Sequence, residues 1–339
     1  MGPARTNGSL GNAREIQIFL RKVAMLTHLF LSRLLWAVAG LLALAAAGTG
    51  IWRPEIYDRV VSSELVPGAY SQDLLSVAAG TGLLYLAWAA RPDRPKHQIV
   101  ALGLLGYLFY AYGIYVIERT YNGLYLVYMA VFALSFWAMV TAGATMGRDA
   151  PSASLPRGLG IVSAAGAILQ PLIFYPLWVG MLLPLMRSGE QIDSLYSIFI
   201  LDLCFIMPGF LVLSLLTYRN HRAGLLLLPA LYVLGFTLIF SLAVGELVKP
   251  LFSAEPSMSA LLPALGLSGL FLVLGILHLA KLRVTQAPTA GPGVPRPGRP
   301  QSFRRQSTRQ EFPQGRQPRP SPPHSKEKHH ESSRLRRTR

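Results

Sequence analysis

The sequence predicts an all-α fold: a polytopic transmembrane helical bundle of about eight transmembrane helices, followed by a disordered basic C-terminal tail. Three observations carry this prediction. The chain of 339 residues is 52% hydrophobic and only 14% charged, whereas soluble domains average about 25% charged residues. Eight stretches are long and apolar enough to cross a hydrocarbon layer. The charge is unevenly divided: residues 1–282 hold 18 Lys and Arg against 13 Asp and Glu, while residues 283–339 hold 14 against 3.

In chain order, residues 1–12 are polar and expected to be disordered. In residues 13–33, Ile16, Phe19, Leu20 and Val23 recur at helical spacing, with Arg14, Arg21 and Lys22 between them. That pattern predicts an amphipathic helix in the cytoplasmic interface; a plain extension of the first span is the other reading. The bundle itself covers residues 34–282. A span needs about 20 mainly apolar residues at about 1.5 Å each. The candidates are 34–52, 74–90, 99–117, 124–141, 159–182, 195–216, 225–247 and 260–280, the second being the shortest. The runs are continuous rather than alternating, which selects helices over a β-barrel. The first run ends in LLALAAAG, small residues of the kind found before a signal-peptide cleavage site. The long basic stretch before it and the length of the run favour a retained span.

Basic residues in the connections set the orientation. The N-terminal segment carries Arg5, Arg14, Arg21, Lys22 and Arg33. The second connection has Arg91, Arg94 and Lys96, the fourth Arg148 and Arg157, and the sixth Arg219 and Arg222. The odd connections have Arg53 and Arg59, then Arg119, Arg187 and Lys249 singly. Both termini are therefore expected in the cytoplasm. Trp36 and Trp88 near inner ends and Trp52 at an outer end suit interfacial anchoring.

Ionisable groups inside a membrane are costly and are the natural place to look for function. Asp202, in IFILDLCFIMPGF, falls about 10 Å inside the outer boundary if its helix enters near Leu195. Glu246, Glu118 with Arg119, and Asp73 after Gln72 come from other helices but map to the same outer side. Tyr112, Tyr115 and Arg119 are spaced to share one face of the third helix, and Tyr121, Tyr125 and Tyr128 one face of the fourth. With Asn122 in the connection between them, these residues outline an outward-facing polar vestibule for a cation or small polar solute. The competing reading makes Asp202 a hydrogen-bonding tie between helices, the end residues solvated, and the tyrosines an interfacial belt. Pro171, Pro176 and Pro184 in the fifth helix, and Pro208 with Gly209 in the sixth, mark either kinks or exposed backbone.

Other chemistry has little support. The lone cysteine, Cys204, excludes an intrachain disulfide and Cys-based metal sites. His28, His97, His221 and His278 lie toward cytoplasmic ends, which disfavours a bis-histidine haem in the bilayer. No P-loop, HExxH, GxSxG or CxxC pattern is present. No catalytic, cofactor or metal site is assigned, and an enzyme is the least supported class.

From about residue 284 the chain holds ten of its 25 prolines and almost no aliphatic residues. It cannot bury enough apolar surface to fold. Arg304, Arg305, Arg309, Arg336 and Arg337 are among the tail residues expected to contact anionic lipid headgroups at about 1 kcal/mol each. RQPRPSPP offers a polyproline segment to a protein partner. Nucleic acid is not expected, because only Phe303 and Phe312 are aromatic.

GAYSQDLLSVAAG, LGLLGYLFYAYGIYVIERTYNGLYLVYMAVFALSFWAMV and FILDLCFIMPGFLVLSLLTYRNHRAGLLLLPALYVLG together resemble a family of prokaryotic multi-pass membrane proteins of unknown function, common in actinobacteria. The likeness covers roughly residues 50–247, including Gln72, Asp73, Asn122, Leu201, Asp202 and Pro208. It implies a bacterial cell membrane and no particular activity. Two functions are carried forward: solute binding or transport through the outer vestibule, and a non-catalytic scaffold acting through its basic tail.

Overall fold

Stretches of apolar sequence that cannot satisfy their backbone in lipid must do so internally, and the chain does this almost entirely with helices. The computed structural model describes residues 7–89, 91, 94–149 and 152–285. The basic tail, with Arg304, Arg305, Arg309, Arg336 and Arg337, lies outside the described residues. The helices are α1 (Asn7–Trp52), α2 (Val66–Ala89), α3 (Pro95–Ile117), α4 (Tyr125–Asp149), α5 (Arg157–Ser188), α6 (Tyr196–Leu201), α7 (Met207–Tyr218), α8 (Arg222–Val248) and α9 (Met258–Lys281). A π-helical turn, Asp202–Ile206, joins α6 to α7 into one span. Helix α1 takes in the stretch 13–33 and continues without a break into the first span.

Seven segments are long and apolar enough to cross a membrane: Phe30–Trp52, Pro95–Ile117, Tyr125–Gly143, Arg157–Ser188, Tyr196–Tyr218, Arg222–Phe252 and Met258–Lys281. The protein is an integral membrane protein. Helix α2 is less apolar, yet its 24 residues rise about 36 Å. Contacts at its two ends show that it runs the length of the bundle. At the near end, where the first span begins, Arg33 Nη2 donates to the Trp88 carbonyl at 3.3 Å, and Lys96 Nζ to the Ala280 carbonyl at 3.4 Å. At the far end, the Tyr70 ring meets Phe252 edge-on at 5.5 Å. There too, Asn122 Nδ2 donates to the Ile56 carbonyl at 3.3 Å.

Local signals place several helix ends. Pro95 opens α3, where a missing N–H costs nothing. Gly189, at φ 70°, closes α5 in the left-handed conformation that suits glycine. Between α4 and α5, β1 (Ser152–Ser154) pairs antiparallel with β2 (Arg283–Thr285), just after α9. This ribbon was not expected from three-residue segments. It covers a small apolar cluster of Ile99, Leu155, Leu225 and Leu282 at the near end.

Helices without a hydrophobic drive to associate in lipid pack through small residues. A Cβ on Gly40 would stand 2.9 Å from the Gly80 carbonyl oxygen, and one on Gly80 the same distance from that of Gly40. Helices α1 and α2 therefore touch through backbone. One apolar cluster fills the space among α1–α4, and a second lies among α3, α5, α7, α8 and α9. His278 ties the second group together at the near end. Its Nε2 faces the Leu225 carbonyl at 3.0 Å and must donate, so in the neutral ring Nδ1 accepts from Ser163 Oγ at 3.1 Å. Large apolar side chains of α4, α5, α7 and α9, such as Leu126, Leu172, Val212 and Leu262, face outward.

Candidate functional site

The polar residues picked out by sequence fall into four groups. The deepest surrounds Asp73, in the second turn of α2. Its Oδ2 accepts from the Tyr57 hydroxyl at 2.6 Å, and its Oδ1 from the Tyr115 hydroxyl at 3.5 Å. Tyr57 belongs to a 3-10 turn, Pro54–Tyr57, that folds back over the end of α1. Burial, with the Asp73 carboxylate beside it, holds the Tyr57 phenol above its usual pKa. The rings of Tyr57 and Tyr115 stack at 5.8 Å, and Tyr115 stacks on Tyr128 at 4.8 Å. Asp73 is 1% exposed, and Tyr57, Tyr112, Tyr115 and Tyr128 are equally buried. Gly50 leaves the space for the carboxylate: a Cβ there would lie 1.9 Å from Asp73 Oδ2.

Around this centre each polar group has a structural partner. Gln72 Nε2 donates to the Ala111 carbonyl at 2.8 Å, and the Tyr112 hydroxyl to the Ala43 carbonyl at 3.0 Å. The Tyr107 hydroxyl donates to the Gln72 carbonyl at 2.8 Å. Asn122 donates to the Tyr128 hydroxyl at 3.1 Å while its Oδ1 accepts from the Leu124 amide at 3.0 Å. The arrangement joins α1, α2, α3 and α4 through hydrogen bonds that no water need complete.

Glu246 forms a second, smaller group. It pairs with Lys249 at 2.7 Å and accepts from the Ser257 amide at 2.7 Å, which closes the turn between α8 and α9. Glu118 belongs to a third. Its Oε1 accepts from the Ser197 amide at 2.8 Å and so caps the start of α6. Its Oε2 and the Ser197 hydroxyl are buried without a hydrogen-bond partner among the described residues.

Asp202 anchors the fourth group. Pro208 has no N–H, and its ring crowds the carbonyl of Cys204, four residues back. The chain relieves this by widening: Met207 N–H bonds to the Asp202 carbonyl, five residues back. The Asp202 side chain accepts from Trp178 Nε1 of α5 at 2.7 Å, and the Tyr110 hydroxyl of α3 is its other hydrogen-bonding neighbour. The Trp178 ring stands edge-on to Phe199 at 5.6 Å.

Phe199 lines an open groove of about 560 Å³ at the far end, between α5, α6 and the end of α3. Ile117, Leu182, Leu185 and Met186 form its apolar walls, while Arg119, Glu190 and Gln191 bring polar groups to it. Arg119 lies beyond the end of α3 at φ 56°, which turns it away from the face it was expected to share with Tyr112 and Tyr115. Its Nε donates to the Tyr196 hydroxyl at 3.1 Å, and Tyr196 donates to the Ile117 carbonyl at 2.8 Å. The bond to Tyr196 raises the Arg119 pKa, so the guanidinium stays charged. Among the described residues it makes no ion pair; the single pair there is Glu246 with Lys249.

The structure thus puts Arg119 in the groove, keeps Glu118 out of its lining as the cap of α6, and links Asp202 to the Phe199 wall through Trp178. Asp73, Gln72, Asn122, Tyr112 and Tyr115 belong to the closed tyrosine network, and Glu246 to its own turn. Sequence reasoning missed Tyr57, Trp178 and Glu190, because partners supplied by a loop or a distant helix leave no spacing pattern. No protein-family model, no curated protein and no solved structure matches the chain.

Proposed function

We propose that this protein is a membrane-embedded binding protein whose ligand occupies the groove between α3, α5 and α6 at the outer face of a prokaryotic cell membrane. The distribution of Arg and Lys supports this orientation, with both termini in the cytoplasm. The observation that carries the reading is the coincidence, in one groove, of apolar walls and a charged arginine with no ion-pair partner among the described residues. The volume of about 560 Å³ falls within the range of about 300–1,000 Å³ common for small-molecule sites. A water-filled vestibule for a small polar solute or a cation draws less support. Asp73 and Glu246 would have to open toward the same space, and each is already held by its own partners.

The test fills the groove. Full-length protein purified in mild detergent should retain a tightly bound small molecule in native mass spectrometry. Leu185→Trp should lose it, while the ligand-free forms of the two proteins melt at the same temperature. Equal retention by both proteins overturns the proposal.

A second function is favoured by the ribbon, which delivers the chain at Thr285 to the same end as the basic second and fourth connections. On this reading the basic residues that follow hold anionic lipid or a protein partner at the cytoplasmic face. Removing residues 286–339 should abolish binding of the reconstituted protein's cytoplasmic face to added anionic vesicles, measured by co-flotation. Undiminished binding removes this role.

A further inference from the structure

We infer that the occupant of the groove is a zwitterionic amphiphile: a phosphate ester carrying a protonated amine, with at least one aliphatic chain. This rests on the groove being the ligand site and adds the chemistry of the ligand.

The chain is required by the walls. Leu182, Leu185 and Met186 present an apolar surface from α5, and Met186 is 75% exposed. These residues belong to a membrane span, where a surface gains by close packing against a partner rather than by leaving water. An aliphatic chain packs on it as bilayer lipid does, and a small hydrophilic solute cannot. The groove is also open rather than enclosed, so a chain can enter sideways from the outer leaflet without first crossing water.

The two charges of the head group follow from Arg119 and Glu190. Both line the groove, both are exposed, and neither makes an ion pair among the described residues. The Arg119 side chain uses Nε on Tyr196, its only side-chain hydrogen bond among the described residues. Its two terminal NH2 groups remain available as a fork, the geometry that suits a phosphate. An anion alone would sit beside the Glu190 carboxylate, and an amine alone beside the Arg119 guanidinium. A head group with both charges pairs with each, and like-charge repulsion then excludes singly charged competitors. An amine with N–H groups can donate to Glu190, which a quaternary ammonium cannot do.

The experiment uses full-length, delipidated protein in detergent, titrated in native mass spectrometry. Three probes are compared: phosphatidylethanolamine, phosphatidylglycerol with the same chains, and glycerophosphoethanolamine, which has no chains. The ethanolamine lipid should bind about tenfold more tightly than the glycerol lipid, the effect of one charge-assisted hydrogen bond. Glu190→Gln should erase that preference, and Arg119→Gln should weaken both lipids. Equal or tighter binding of phosphatidylglycerol, or a preference unchanged in Glu190→Gln, overturns the zwitterion. Competition by glycerophosphoethanolamine as strong as by the full lipid overturns the amphiphile, while leaving the groove a ligand site. Undiminished binding of every probe to Leu185→Trp overturns the groove itself.

Discussion

Two regions of this bundle each bury a carboxylate within the thickness of the membrane, and they do so in opposite ways. Around Asp73, four helices close on a side chain held by two tyrosine hydroxyls and seated over a glycine. Around Asp202, one indole N–H and one tyrosine face a carboxylate in a widened helical turn, beside a helix whose far half packs on little. The contrast extends to the helices: 72% of the apolar stretch of α3 is buried inside the bundle, against 11% for α5. No residue of α5 beyond Pro171 is buried. Membrane helices gain stability mainly from close packing and hydrogen bonds. The first region is therefore the closely packed one, and the second leaves much of the α5 surface outside the bundle.

The comparison breaks most readily at Asp73. Asp73→Ala takes the close acceptor from the buried Tyr57 hydroxyl, while Tyr115 keeps the Ala69 carbonyl at 3.2 Å, and it opens a void, so it should cost about 3 kcal/mol. Reversible unfolding in mixed detergent micelles measures this. Asp73→Asn, which keeps an acceptor of the same size, should retain most of the stability. If alanine and asparagine are equally benign, the packing does not depend on this acid. Next comes Gly50→Ala, which places a methyl group on the carboxylate and should cost about 2 kcal/mol through overpacking. An unaffected melting temperature would mean that the α1–α2 contact yields freely.

The second region should respond less in stability and more in accessibility. Trp178→Phe removes the bond to Asp202 but keeps an aromatic ring beside Phe199, at a cost of about 1 kcal/mol. In a Cys204→Ser background, Leu185→Cys should then react faster with a thiol reagent than it does with Trp178 intact. An unchanged rate would show that this tie does not hold the far half of α5. The smallest effect is expected for Glu246→Gln. It weakens an ion pair near the membrane surface and should cost about 0.5 kcal/mol, near the limit of detection.

How much of this was legible in the sequence differs between the two regions for a physical reason. Hydropathy reports the average polarity of a stretch, so seven spans stand out. The eighth, α2, has an apolar run that begins near residue 74, because Gln72 and Asp73 interrupt it. The helix begins at Val66 and carries those residues inward, which an average cannot register. Parity of the connections assigns Glu118, Arg119 and Glu246 to one side. It did not reveal that Glu246 would be consumed by Lys249, three residues away. Pro208 and Gly209 marked a break in the sixth span. The choice of a π-helical turn, and the aim of Asp202 at Trp178, depend on α5 lying alongside, which only the assembled bundle supplies.

The small ribbon has a consequence in time rather than in space. The hydroxyl of Ser152 bonds to the carbonyl of Thr285 across 133 positions of chain. At about 5–20 residues per second, a ribosome takes on the order of ten seconds to make the second strand after the first. During that interval β1 has no mate, and α5 through α9 enter the membrane with this clasp undone. Its closure comes only after α9 has emerged, so pairing of Ser152–Ser154 marks the moment when α5 through α9 have all been delivered.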